Sequence, residues 1–216
     1  MKLLSRILAG GLLFAASVAP TTAAVAHDQA SYYSTWWHTG ERTVTWHFDT
    51  GFPGGSMRTR VKDGAAEWDA VNTSLDFKFD GTDLSESFND CPNALDKSTV
   101  FYLSIIDPPG EDILGYTLSC PYNSDSTRLK AFHLAFDSGN SWYSGTGDPS
   151  ASDVDTWSVA THELGHAGGF SGHFAGAVCS SSPSTTDQTM CPNYEFGRKC
   201  WRTLETHDIH TFASRY

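Results

Sequence analysis

Basic residues are scarce in this sequence: 14 lysines and arginines stand against 25 aspartates and glutamates, and the net charge at pH 7 is −11. An acidic surface repels a phosphate backbone, so we expect no nucleic-acid partner. Long apolar runs are missing after residue 26, and nothing beyond that point is predicted to span a bilayer. No internal repeat and no clear linker interrupt the chain, so a single domain is expected.

The first 26 residues have the layout of a secretory signal peptide. A short basic start with Lys2 and Arg6 precedes an apolar run over residues 7–18, and Ala24-Val25-Ala26 forms a small-x-small cleavage signal. We therefore expect cleavage after Ala26, export of the protein, and one mature domain over residues 27–216.

Five cysteines lie in the part expected to be exported, where disulfides form. None shows the C-x-x-C spacing of a structural zinc site, and the odd number leaves at least one thiol free or paired outside the chain. Their order and the loop signals beside them favour two pairs, Cys91 with Cys120 and Cys179 with Cys191, which leave Cys200 over. A Cys191–Cys200 pair is the alternative.

Hydrophobic periodicity predicts a mixed domain of class α+β. Alternation of apolar and polar residues indicates strands at Arg42–Phe48, Leu75–Phe79, Val100–Ile106 and Ala131–Phe136. Helical spacing indicates helices from an N-cap at Ser56 to about Val71, from Asp153 to Gly168, and from Thr203 to about Ala213.

Between the last strand and the middle helix, residues 137–152 are rich in Gly, Ser, Asn and Asp and are predicted to form a loop. The oxygens of the stretch 137–153 could hold calcium. No spacing diagnostic of calcium ligands is present there, however, so a plain polar loop is the preferred interpretation.

The stretch THELGHAGGFSGHF, residues 161–174, carries the chemistry. His162 and His166 are four residues apart, so a helix places both imidazoles on one face, where they can bind one zinc ion. Glu163 is rotated from His162 by about 100° and lies beside the metal, within reach of water. Zinc polarises a scissile carbonyl and acidifies water, and Glu163 would accept the water's proton as general base.

Catalytic zinc requires a third protein ligand, and His173 is the nearest candidate. On an unbroken helix, His173 would lie about 10 Å further along the axis than His166, which is too far for one ion. The chain must therefore leave the helix and turn back, and glycines 168, 169 and 172 provide the conformational freedom for that turn.

Together these residues resemble the metzincin zinc endopeptidases, particularly their matrixin-like branch, whose motif is H-E-x-x-H-x-x-G-x-x-H followed by a Met-turn. His162, Glu163, His166 and Gly169 match the motif, whereas the family's last histidine position falls on Gly172, one residue before His173. Thr189-Met190-Cys191-Pro192 resembles the Met-turn, which would place Met190 beneath the metal. Tyr194 does not fall where such families place a metal-proximal tyrosine, so it receives no ligand role.

The resemblance implies a metzincin-like zincin catalytic domain with one catalytic zinc ion. Its twisted mixed sheet would carry an edge strand over the cleft, assigned here to Lys130–Asp137, beside an active-site helix and a C-terminal helix. Protein or peptide substrates would bind along that edge. We expect a secreted, monomeric protein with no membrane contact after signal cleavage.

Two alternatives remain at this point. In the first, the chain is still a zinc peptidase but uses Glu195 as the third ligand. In the second, it is a secreted zinc-binding domain without catalysis. Glu163 argues against the second alternative, because a structural site has no use for a carboxylate beside the open coordination position.

Overall fold

A mixed sheet and three helices make up the part of the chain that the computed structural model describes, namely residues 36–37, 43–92, 97–105, 113–122, 124–170, 189–191, 194, 196–199 and 201–216. The helices are α1 (Ser56–Asp69), α2 (Thr156–Ala167) and α3 (Thr206–Ala213). The strands are β1 (Trp36–Trp37), β2 (Thr43–Asp49), β3 (Asp76–Leu84), β4 (Ser98–Leu103), β5 (Gly115–Tyr122), β6 (Asp125–Asp137), β7 (Trp142–Tyr143) and β8 (Val154–Asp155).

The main sheet contains six strands within the described residues, and five of them follow the order β1, β6, β4, β2, β3. The sixth strand, β5, also pairs with β6. All neighbouring pairs are parallel except β5 and β6, which are antiparallel. Strands β2, β3, β4 and β6 correspond to the four that alternation predicted, with shifted ends. The mixed α/β class is therefore confirmed.

The predicted sheet edge was wrong. Strand β6 pairs with β4 on one side, Thr99 opposite His133, and with β5 on the other, Leu118 opposite His133. Every residue of Lys130–Asp137 is buried, so both faces of this part of the strand are covered. The outer strand is β5, which pairs with β6 alone among the described strands and which periodicity did not reveal.

Aromatic side chains fill the core between the sheet and helices α1 and α2. Trp46 and Phe48 point inward from β2, and Trp68 points inward from α1, where its indole N–H donates to the Thr161 carbonyl of α2 at 2.8 Å. This bond and the packing around it fix the two helices relative to each other. The largest fully buried apolar side chains include Trp46, Trp68, Phe48, Phe132, Phe136, Phe170, Phe212, Leu129, Leu134, Leu164 and Met190.

Helix boundaries differ from the sequence prediction in three places. Ser56 is the first helical residue rather than the cap; Gly55 precedes it and no side chain caps the helix. Helix α2 begins at Thr156, because Val154–Asp155 pairs with Trp142–Tyr143 as a short two-stranded sheet inside the expected loop and helix start. Helix α3 begins three residues later than predicted, at Thr206.

The predicted Cys91–Cys120 disulfide is present and ties β5 to the segment that precedes β4. Cys191 is also disulfide-bonded, but its partner lies outside the described residues, as do Cys179 and Cys200. The expected signal peptide at 1–26 lies outside them too. In the part of the chain that is described, no helix is both long and apolar enough to cross a membrane.

Asp69, the last residue of α1, should make the free energy of unfolding depend on pH. Its carboxylate accepts a hydrogen bond from the Phe77 N–H at 2.7 Å, but burial raises its pKa from 3.8 to about 6. A raised folded-state pKa means that the stabilising contribution is complete below the unfolded pKa and is lost as the pH rises through the folded value. We expect Asp69→Asn, which keeps an oxygen acceptor for Phe77, to remove this loss.

Urea unfolding between pH 4 and 7 checks this prediction. As the pH rises from 4 to 7, the free energy of unfolding of Asp69→Asn should increase by about 1 kcal/mol relative to that of the wild type. This value is reduced for partial solvent exposure. A constant difference between the two proteins across the range would show that Asp69 titrates normally.

Candidate active site

Helix α2 brings His162 and His166 together, one turn apart on the same face. Their ring centroids are 4.9 Å apart and the ring planes are nearly perpendicular, at 79°. His162 is buried and His166 is half-buried. Two imidazoles in this relation can direct one nitrogen each toward a common ion.

Backbone carbonyls determine which nitrogen of each ring is protonated. The Nδ1 of His162 lies 2.6 Å from the Thr189 carbonyl oxygen, and the Nδ1 of His166 lies 2.8 Å from the Phe170 carbonyl oxygen. A carbonyl oxygen accepts and cannot donate, so Nδ1 carries the proton in both rings. In a neutral ring, Nε2 then bears the lone pair, which is the form that binds a metal.

The turn that follows α2 positions the Phe170 carbonyl. The N–H of Phe170 donates to the Gly165 carbonyl at 3.2 Å, and the N–H of Gly169 donates to the His166 carbonyl at 2.9 Å. These two bonds form a Schellman motif, and Gly169 has the positive φ of 106° that the motif requires. The helix therefore ends at Ala167 and the chain turns away, as the motif glycines predicted. His173 lies beyond Phe170, outside the described residues.

Met190 packs directly on the histidine helix at Gly165. It is fully buried, and a Cβ at Gly165 would collide with the Met190 sulfur and with the Trp68 ring. The glycine between the two histidines thus allows the methionine to approach the helix backbone.

Helix α3 helps to position Thr189, whose carbonyl accepts the hydrogen bond from His162. The buried carboxylate of Asp208 accepts from the N–H of Thr189 and from the N–H of Glu205, both at 3.0 Å. The Thr189 hydroxyl donates to the Thr203 carbonyl, also at 3.0 Å. Sequence reasoning missed Asp208, although the spacing of Glu205 and Asp208 is that of the capping box found at the start of α3.

Glu163 is buried and faces the outer strand β5. The Thr117 hydroxyl lies 2.8 Å from Oε2 of Glu163 and 2.9 Å from its backbone oxygen. Burial raises the pKa of Glu163 to about 7, while the hydrogen bond from Thr117 opposes this shift. A carboxyl group with a pKa near neutrality is suited to accept and then release a proton.

Trp201 stacks on His162, with ring centroids 4.5 Å apart and planes inclined by 23°. The stack and the Thr189 carbonyl fix this imidazole from two directions. Nothing in the sequence pattern pointed to Trp201 or Thr117, because both reach the motif helix from distant parts of the chain.

Tyr194 has a structural position. Its hydroxyl accepts from the Asp155 N–H at 2.7 Å and donates to the Arg198 carbonyl at 2.6 Å. Glu195, the alternative third ligand, lies outside the described residues.

The acidic side chains of the stretch 137–153 are engaged within the protein. The Asp137 carboxylate accepts from the Ile105 N–H at 3.0 Å and from the Asn140 amide at 2.7 Å. The Asp153 carboxylate accepts from the hydroxyls of Ser141 and Ser150, each at 2.7 Å.

The donor set fits zinc: two imidazoles, each with a proton on Nδ1, stand beside a buried carboxylate. Among the described residues, no group of three or more histidine, cysteine or acidic side chains could hold a metal ion, and both candidates for a third ligand lie outside them. Searches for similar proteins gave no match to any protein-family model and none to any curated protein.

Arg202 secures the N-terminal end of the motif helix. Its guanidinium forms two bonds to the fully buried carboxylate of Asp155, Nε to Oδ2 at 2.9 Å and a terminal nitrogen to Oδ1 at 2.5 Å. Asp155 is also the N-cap of α2 and accepts from the Ser158 N–H at 2.9 Å. The other guanidinium bonds reach carbonyls of the loop 145–147.

Arg202→Met should therefore destabilise the fold strongly, because it leaves the Asp155 charge buried without its partner. We expect a loss of about 3–5 kcal/mol in the free energy of unfolding, measured by urea denaturation. Lys199→Met is the matched control, since it removes the exposed Lys199–Asp148 ion pair from the same segment and should change little. Equal effects of the two substitutions would contradict the role given to Arg202.

Proposed function

We propose that this protein is a secreted zinc-dependent endopeptidase of the matrixin-like branch of the metzincins. One observation carries the proposal: His162 and His166 stand one helical turn apart with Nδ1 of each bonded to a carbonyl, and the buried carboxylate of Glu163 lies on the same helix. A site that merely stabilised the fold would have no need of that carboxylate.

His162, His166 and His173 would hold the ion. Bound there, zinc would polarise a substrate carbonyl and activate water for attack. The Thr189 and Phe170 carbonyls keep the two described ligands in the tautomer that presents Nε2, and the Trp201 stack restricts rotation of the His162 ring. The contact of Met190 with Gly165 supports the matrixin-like assignment, because it brings a buried methionine against the helix that carries both histidines.

Glu163 is assigned as the general base and later the general acid. It accepts a proton from the attacking water and delivers it to the amine nitrogen that leaves when the peptide bond breaks. A carboxyl group so placed can accept a proton from water and later release it. The buried setting excludes bulk water that would compete for the proton.

The outer strand β5 is the surface assigned to the substrate, in place of the strand first expected. Thr117 of β5 contacts Glu163, so the strand runs beside the general base. An extended peptide could pair along β5 and bring its scissile bond to the site by β-strand addition. Protein or peptide substrates of a monomeric enzyme fit this arrangement.

Export is supported by the Cys91–Cys120 disulfide, since such bonds persist in oxidising compartments. The alternative of a zinc-binding domain without catalysis is less well supported. It gives no reason for the burial of Glu163 or for its hydrogen bond to Thr117.

Glu163→Ala should abolish proteolysis while zinc binding persists, because the carboxylate is not assigned as a ligand. The purified mature chain is loaded with zinc and assayed on casein, with metal content measured in parallel. Wild-type cleavage should disappear with a chelator and fall by at least about 10²-fold in the variant. Full cleavage by Glu163→Ala would rule out the assigned base, and no cleavage by zinc-loaded wild type would favour the non-catalytic alternative.

The third ligand is decided by comparing His173→Ala with Glu195→Ala. Loss of one of three ligands should reduce zinc content and activity together, so His173→Ala is expected to lose both and Glu195→Ala to keep both. Zinc per chain is measured after dialysis against metal-free buffer. The opposite pattern would transfer the ligand role to Glu195.

A further inference from the structure

Two residues of strand β5, Gly115 and Thr117, lie against Glu163. Neither is part of the zinc motif. Resting on the proposed function, we propose that Thr117 is a positioning residue that holds the Glu163 carboxylate in place for proton transfer, with Gly115 shaping the space around it.

The hydroxyl of Thr117 touches Glu163 at two points. It lies 2.9 Å from the backbone oxygen and 2.8 Å from Oε2 of the side chain. The hydroxyl has one proton, which these two acceptor oxygens share, and the bond to Oε2 must break before the carboxylate can swing away. Thr117 and Glu163 are both buried, where a hydrogen bond is stronger than in water.

Gly115 limits the same carboxylate sterically. A Cβ at Gly115 would lie 2.9 Å from Cγ of Glu163 and 3.1 Å from Oε1. The side chain therefore occupies the space that any larger residue at 115 would take. One oxygen is held by a hydroxyl and the other lies against the bare backbone of the same strand.

A hydroxyl also suits a residue whose protonation changes during the reaction, because it both donates and accepts. When Glu163 is ionised, Thr117 donates its proton to Oε2. When Glu163 holds the proton taken from water, Oε2–H can donate to the Thr117 oxygen, and the Thr117 proton turns to the Glu163 carbonyl. The side chain keeps its position in both states, with no net gain or loss of protons at Thr117.

Thr117→Val tests the proposal, because it keeps the shape of the side chain and removes the hydroxyl. On the zinc-loaded mature chain we expect kcat to fall about 10- to 100-fold with KM and zinc content unchanged, the scale of a misplaced catalytic group. Thr117→Ser, which restores the hydroxyl, should recover kcat to within about threefold of the wild type.

Thr99→Val is the matched control. Thr99 is a fully buried threonine of β4, outside the strand assigned to the substrate, and its hydroxyl donates to the Lys97 carbonyl at 3.0 Å, so kcat should not change. A crystal structure of zinc-loaded Thr117→Val gives a readout apart from activity and should show the Glu163 carboxylate displaced. If Thr117→Val does not fold, Gly115→Ala, which crowds the same carboxylate, should lower kcat alone.

The outcomes separate this inference from the proposed function. An active wild type with a Thr117→Val variant of normal kcat and an unmoved carboxylate would overturn the positioning role alone. Loss of zinc in Thr117→Val, or failure of Thr117→Ser to recover, would also overturn it, since the hydroxyl would then serve the fold. An inactive zinc-loaded wild type would overturn the proposed function and this inference together.

Discussion

Two hydrogen bonds, from Nδ1 of His162 and of His166 to backbone carbonyls, are the constraint on which the rest of the site depends. They fix the tautomer of both rings, and thereby the nitrogen that a metal can use. Separate hydrogen bonds hold each carbonyl in place. Thr189 is bonded to the buried Asp208 of α3, and Phe170 is held by the Schellman turn at the end of α2.

The remainder of the fold keeps α2 where these bonds can form. At its N-terminal end, Asp155 caps the helix and binds Arg202. At its C-terminal end, carbonyls left without a partner inside the helix accept from the Trp37 indole and the Tyr216 hydroxyl, at 2.8 and 2.7 Å. Trp37 and Tyr216 thus both bind the C-terminal end of the motif helix, and packing against Trp68 and Met190 fixes its face.

Sequence periodicity predicted the features that depend on residues close together in the chain. Alternation located four strands, and the four-residue spacing of His162 and His166 placed both rings on one face. The outer strand was missed because β5 begins at a glycine and includes Pro121, and its strand character comes from pairing with β6. Thr117 and Arg202 were missed for a related reason: they meet their partners across 46 and 47 residues of sequence, a distance that periodicity does not register.

X-ray absorption at the zinc edge, recorded on the purified mature chain, reports the ligands of the ion without relying on an assay. Zinc held by three histidines should show nitrogen neighbours at about 2.0–2.1 Å with the outer-shell scattering of three imidazole rings. Sulfur at about 2.3 Å, or a chain that takes up no zinc at all, would contradict it.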